Sequence, residues 1–100
     1  MQGSTIEFKF AEPVPLDDLI DMLRLARLSA EAIYSSALVK IASEASIRPD
    51  GSGLTIGSGS DVGLTVALVF AEIATESLGD NSVRLRLLRT GVTKPEAVPA

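Results

Sequence analysis

The chain has 100 residues, of which 46% are hydrophobic, so it is the size of one domain and can bury a core without metal or disulfide support. It contains no histidine and no cysteine, which excludes the serine triad, thiolate nucleophiles, disulfides and the usual zinc sites. Its net charge of −4 argues against nonspecific nucleic-acid binding. We therefore expect a noncatalytic protein that needs no cofactor and binds no nucleic acid.

The first predicted element is a strand over residues 5–10. Ile6, Phe8 and Phe10 alternate with Glu7 and Lys9, a period of two that is typical of a half-buried strand. Two prolines after it end the strand and lead into a helix.

This first helix begins near Leu16 and runs as far as about Glu44, because no glycine or proline interrupts it. Such a helix is long for a small domain, so a bend near Ser29 or at residues 35–36 is the alternative. One broad apolar stripe predicts the core face: Leu16, Leu19, Ile20, Leu23, Ala26, Ala30, Ile33, Tyr34, Ala37, Leu38 and Ile41.

A hairpin is predicted next, because the turn sequence of residues 49–51, Pro-Asp-Gly, lies between two short alternating runs. A second helix follows over residues 62–78, with Ser60 or Asp61 as its N-cap and Gly79 at its end. In the last strand, Val83, Leu85 and Leu87 alternate with two arginines and are expected to point inward.

The predicted order is β-α-β-β-α-β in one α+β domain over residues 1–92, followed by a flexible tail over residues 93–100. This is a ferredoxin-like two-layer sandwich, an antiparallel sheet with two helices on one face. The alternative is an α-rich domain in which only the first and last strands pair.

Neither a signal peptide nor a membrane span is evident. Residues 1–10 have no basic start and no apolar run, and residues 62–74 are too short to cross a bilayer and contain Glu72. We expect a cytoplasmic protein with no membrane role.

Two patterns have a functional and a structural interpretation. A glycine-rich loop before the second helix would present backbone N–H groups of Gly57, Ser58, Gly59 and Ser60 to a phosphate or nucleotide, but its spacing matches no phosphate-loop motif and the structural alternative is a capped turn. Asp17, Asp18 and Asp21 have a spacing that would hold Mg²⁺, yet acidic residues are favoured at any helix start. We predict no metal site.

The outer face of the predicted sheet is charged. It carries Glu7, Lys9, Arg48, Thr55, Arg84 and Arg86, and Glu7 is expected to pair with an arginine. A platform for RNA would need exposed aromatic side chains, and none is predicted on this face. A solvated or protein-docking face is the interpretation we favour.

A second apolar line on the first helix, opposite the core stripe, is the most informative feature. Leu25, Leu28, Ala32 and Val39 follow 3-4 spacing, with Ser35 in the gap, and form a narrow seam suited to another helix. We expect a self-associating protein or an adaptor subunit that acts through these helix faces. The alternative is that a bent first helix folds back and buries both stripes within one chain.

Overall fold

A computed structural model describes residues 3–90 of the chain. They form an α+β domain with a four-stranded antiparallel sheet and three α-helices, which confirms the predicted fold class. In chain order the elements are β1 (Gly3–Phe10), α1 (Leu16–Glu31), α2 (Ser36–Ala42), β2 (Ala45–Ile47), β3 (Gly53–Gly57), α3 (Asp61–Leu78), a short 3-10 turn (Asp80–Ser82) and β4 (Val83–Thr90). The predicted flexible tail, residues 93–100, lies outside the described residues.

The sheet is built around β1. Its strand order is β2-β3-β1-β4, and β1 pairs antiparallel with β3 on one side and with β4 on the other. The predicted hairpin is confirmed, since β2 pairs with β3 across the turn that contains Gly51. The alternative in which only the first and last strands pair is therefore wrong.

The hairpin turn is stabilised locally. Gly51 has a φ of 76°, a conformation that favours glycine. Asp50 Oδ1 accepts a hydrogen bond from the N–H of Ser52 at 3.0 Å. Hydrogen bonding from the side chain and backbone of Ser52 lowers the pKa of Asp50 below its ordinary value.

The core lies between one face of the sheet and the helices. Phe8 of β1 is fully buried, and its ring meets that of Phe70 on α3 edge to face, with ring centroids 4.8 Å apart. Other side chains of the same sheet face, including Ile6, Leu54 and Ile56, are buried with them. No helix within residues 3–90 is long and apolar enough to cross a membrane.

The predicted long helix is interrupted, as the bend alternative allowed. α1 ends at Glu31, and α2 begins at Ser36 with the Ser35 hydroxyl accepting a hydrogen bond from the N–H of Leu38 at 3.2 Å. The break changes the helical phase, so Val39 of α2 is buried while Leu38 and Ile41 of the predicted core stripe are exposed. Leu16 and Ile20 precede the break and are exposed on α1 itself. The exposed members of the stripe are Leu16, Ile20, Ile33, Ala37, Leu38 and Ile41.

Glu7 ties three strands together on the other face of the sheet. Its carboxylate binds Arg48, just after β2, at 2.7 Å and Arg86 of β4 at 2.9 Å. The arginines cover Glu7, whose side chain is only 6% exposed. The predicted pairing of Glu7 with an arginine is thereby confirmed.

We expect Glu7→Gln to lower the free energy of unfolding by about 1–3 kcal/mol, because it removes charge-assisted hydrogen bonds to two arginines. Urea denaturation measures this loss. Glu12→Gln, at an exposed position with no salt bridge among the described residues, is the matched control and should be nearly neutral. Equal stability of the two variants would show that the double ion pair does not hold the sheet together.

Candidate interaction surfaces

The apolar line predicted on the first helix is shorter in the structure than in the sequence. Leu25 and Leu28 are 52% and 54% exposed, and Ala32 is exposed as well. Val39 is fully buried, so its assignment to an exposed seam is wrong. The physical reason is that Val39 lies on α2, whose orientation is independent of α1. We call Leu25, Leu28 and Ala32 the α1 ridge.

α3 buries one line of residues and has two unequal flanks. Its buried line includes Val66, Ala67 and Phe70. Val69 and Ile73, on one flank, are half-buried against the core, whereas Leu64 and Leu68, on the other, are exposed. Leu64 and Leu68 therefore form an apolar part of the α3 surface.

β4 presents two leucines that sequence analysis placed in the core. Register sets Leu85 opposite Phe8 and Leu87 opposite Ile6, so both lie on the face of the sheet that carries the helices. They are nevertheless 47% and 53% exposed. The expectation that they are buried is wrong: Val83 at the start of β4 is buried, but Leu85 and Leu87 lie beyond the cover that α3 gives where Phe70 meets Phe8.

The two leucines of β4 form a second apolar surface, which we call the β4 patch: Leu85 and Leu87. It runs along β4, the last strand in the sheet order, and no strand within residues 3–90 pairs with the outer side of β4. Exposed apolar side chains beside an open strand edge are typical of a site that binds protein. Sequence alternation alone gave no signal for this surface, since Leu85 and Leu87 have the same pattern as buried strand residues.

The opposite face of β4 is cationic. Lys9 of β1 lies directly opposite Arg84, and both side chains are exposed. Among the described residues neither forms a salt bridge, whereas Arg86 and Arg48 bind Glu7. A shallow depression of about 180 Å³ is lined by Lys9, Arg84, Leu85 and Arg86, and by Glu7, whose charge is already paired with Arg48 and Arg86. Two like charges side by side are unfavourable, so this part of the face suits an acidic partner.

A groove between α1 and α2 is also lined by basic side chains, and one of them, Arg27, makes hydrogen bonds within the chain. Arg27 donates to the Ser43 carbonyl at 2.9 Å and to its hydroxyl at 3.3 Å. Because Ser43 is fully buried, this contact joins α1 to the end of α2. The role of Arg27 in the structure is therefore to hold the two helices together.

Two of the four backbone N–H groups of the predicted phosphate loop donate hydrogen bonds within the chain. The N–H of Gly57 donates to the Glu44 carbonyl and that of Ser58 to the Ser4 carbonyl, both at 2.8 Å. Ser60 caps α3, its hydroxyl accepting from the N–H of Gly63 at 3.2 Å. Gly59 and Ser60 are exposed. The loop therefore caps α3, and phosphate binding by its exposed part stays a prediction.

Gly63 has a packing role. A Cβ atom there would collide with the carbonyl oxygens of Gly57 and Ala42, so the glycine lets α3 approach β3 and α2 closely. This close approach explains one glycine of the loop without a ligand.

The three aspartates at the start of α1 are exposed. Within residues 3–90, no group of three or more acidic side chains is arranged to hold a metal ion. Asp17 and Asp18 lie in the first turn, where negative charge stabilises a helix.

Comparison of the sequence with models of known protein families and with curated proteins finds no match.

We expect Gly63→Ala to lower the free energy of unfolding by about 1–3 kcal/mol, because the added methyl group must push two carbonyl groups aside. Gly59→Ala, in the exposed part of the same loop, is the control and should change stability by less than about 0.5 kcal/mol. Thermal or urea denaturation compares the two variants. A neutral Gly63→Ala would contradict the packing role of this glycine.

Proposed function

We propose that this chain is a noncatalytic protein–protein interaction module that binds itself or another protein through apolar side chains of its helix layer. The observation that supports this most strongly is the number of large apolar side chains that the fold leaves exposed. They are Leu16, Ile20, Leu25, Leu28, Ile33, Leu38, Ile41, Leu64, Leu68, Leu85 and Leu87. Scattered exposed leucines need no explanation, but aligned ones are typical of binding surfaces.

The α1 ridge supports self-association in a definite geometry. Leu25, Leu28 and Ala32 lie on one line, as in the seam of a helix pair. Two copies packed antiparallel about Leu28 would bring Arg24 of each copy close to Glu31 of the other, because both residues flank the ridge on the same side. Apolar contact at the centre and opposite charges at the flank favour this pairing over a parallel one.

The fold that supports this function is, in our proposal, a ferredoxin-like sandwich with α2 inserted after its first helix. The β-α-β-β-α-β order and the position of β1 between β3 and β4 support this topology. The fold by itself implies no activity, so the function rests on the exposed surfaces.

We expect the double variant Leu25→Glu, Leu28→Glu to weaken self-association by at least about tenfold, because it places four carboxylates in the centre of a paired interface. Sedimentation velocity over a concentration series measures the dissociation constant. Leu38→Glu with Ile41→Glu adds the same charge on exposed positions of α2 and is the matched control.

A charge exchange tests the antiparallel geometry. Arg24→Glu should weaken association, and adding Glu31→Arg in the same chain should restore it, since the pairing between copies is then reversed but complete. A wild-type chain that remains monomeric throughout the series overturns self-association. Dissociation by the α2 variant alone would overturn the assignment to the α1 ridge.

A further inference from the structure

We propose that β4 binds an extended segment of a partner protein as an added fifth strand, and that this segment alternates acidic and apolar residues. The inference rests on the proposed function as an interaction module and names the partner chemistry of a second surface. Three properties of β4 support it: its open backbone, its apolar face and its cationic face.

The backbone of β4 is suited to strand addition. β4 pairs with β1 without interruption from Val83 opposite Phe10 to Thr90 opposite Gly3, and it contains no proline. Its outer edge therefore presents a regular series of N–H and C=O groups to a further strand. The other edge of the sheet, β2, has only three residues and offers much less to bind.

The face of β4 that carries the helices supplies apolar contact. Leu85 and Leu87 are about half exposed. Side chains at every second position of an added strand would lie on this face. Apolar residues at these positions would cover the leucines. For this reason we expect every second residue of the partner segment to be apolar.

The other face supplies the charge. A residue of the added strand opposite Arg84 lies on the same face as Arg84 and Lys9, which carry like charges and form no salt bridge among the described residues. A carboxylate at that position would relieve the repulsion between them. Arg86 is already held by Glu7, so a second carboxylate near it gains less.

A second copy of β4 is a poor occupant of this edge. Two copies related by a two-fold axis normal to the sheet pair about Leu85, Arg86 or Leu87. In each case arginines of the two copies come directly opposite or diagonal to one another, and like charges in these positions are destabilising. Charge complementarity therefore favours a different, acidic segment.

The probe is a fluorescent heptapeptide in which valine and glutamate alternate, titrated with the full-length chain and followed by anisotropy. Three control peptides carry lysine in place of glutamate, the same composition without alternation, or N-methyl groups on the residues that would donate hydrogen bonds to β4. We expect the acidic peptide to bind at least about tenfold more tightly than each control. Its binding should weaken between about 50 and 500 mM salt.

Variants of the chain locate the site. Arg84→Glu should reverse the preference, so that the lysine peptide binds more tightly than the acidic one, and this gain shows that the variant is folded. Lys40→Glu, an equal charge change at an exposed position of α2, is the control and should leave both affinities unchanged. The variant Leu25→Glu, Leu28→Glu should also keep its affinity for the acidic peptide.

The outcomes separate this inference from the proposed function. No saturable binding up to about 1 mM, or binding indifferent to Arg84→Glu or to N-methylation, overturns strand addition. If only the variant Leu25→Glu, Leu28→Glu loses binding of the acidic peptide, strand addition at β4 is wrong. The proposed function as an interaction module that acts through its helices then still stands. A further outcome is that Leu85→Lys with Leu87→Lys abolishes self-association while Leu25→Glu with Leu28→Glu does not. In that case a second copy of the chain binds the β4 edge, and the proposal of an acidic partner segment is wrong. A monomeric chain that binds the peptide contradicts self-association only.

Discussion

The contact between Phe8 and Phe70 is the interaction on which the arrangement of the layers depends. It joins the central strand to α3 at the middle of both, with the rings edge to face and fully buried. This contact holds α3 over β1, and of Val83, Leu85 and Leu87 on the outermost strand only Val83 is buried. The same packing that completes the core therefore leaves Leu85 and Leu87 exposed on β4.

The other face of β1 determines how charge is distributed. Glu7 is adjacent to Phe8 in sequence and points to the opposite face, where two arginines bind it. This pairing leaves Lys9 and Arg84 side by side without a carboxylate among the described residues. A chain with a net charge of −4 thus carries a small cationic area along one strand edge. The two faces of β4 differ in character, and this difference defines the partner that it suits.

Local signals predicted most of the elements correctly. Alternation identified β1 and β4, turn chemistry identified the hairpin around Gly51, and Ser60 and Gly79 were recognised as the limits of α3. The break between α1 and α2 had no glycine or proline to mark it. A single helical phase was therefore extended across both helices, which placed Leu38 and Ile41 in the core and Val39 on the surface, the reverse of what the structure shows. Phosphate binding was predicted from the residue types of the glycine loop. The N–H groups of Gly57 and Ser58 in fact donate to carbonyl groups elsewhere in the chain, and residue types alone do not reveal such hydrogen bonds.

Local patterns of residues are enough to predict the α+β class, the side of each strand on which a residue lies and the chemistries excluded by the lack of histidine and cysteine. These follow from backbone geometry and composition, which are local properties of the chain. Which apolar residues are buried depends instead on how the helices pack on the sheet. Leu85 follows the same alternation as Phe8 and lies directly opposite it, yet Leu85 is exposed and Phe8 is buried. Burial depends on what packs across from a side chain, and that neighbour belongs to a distant part of the sequence.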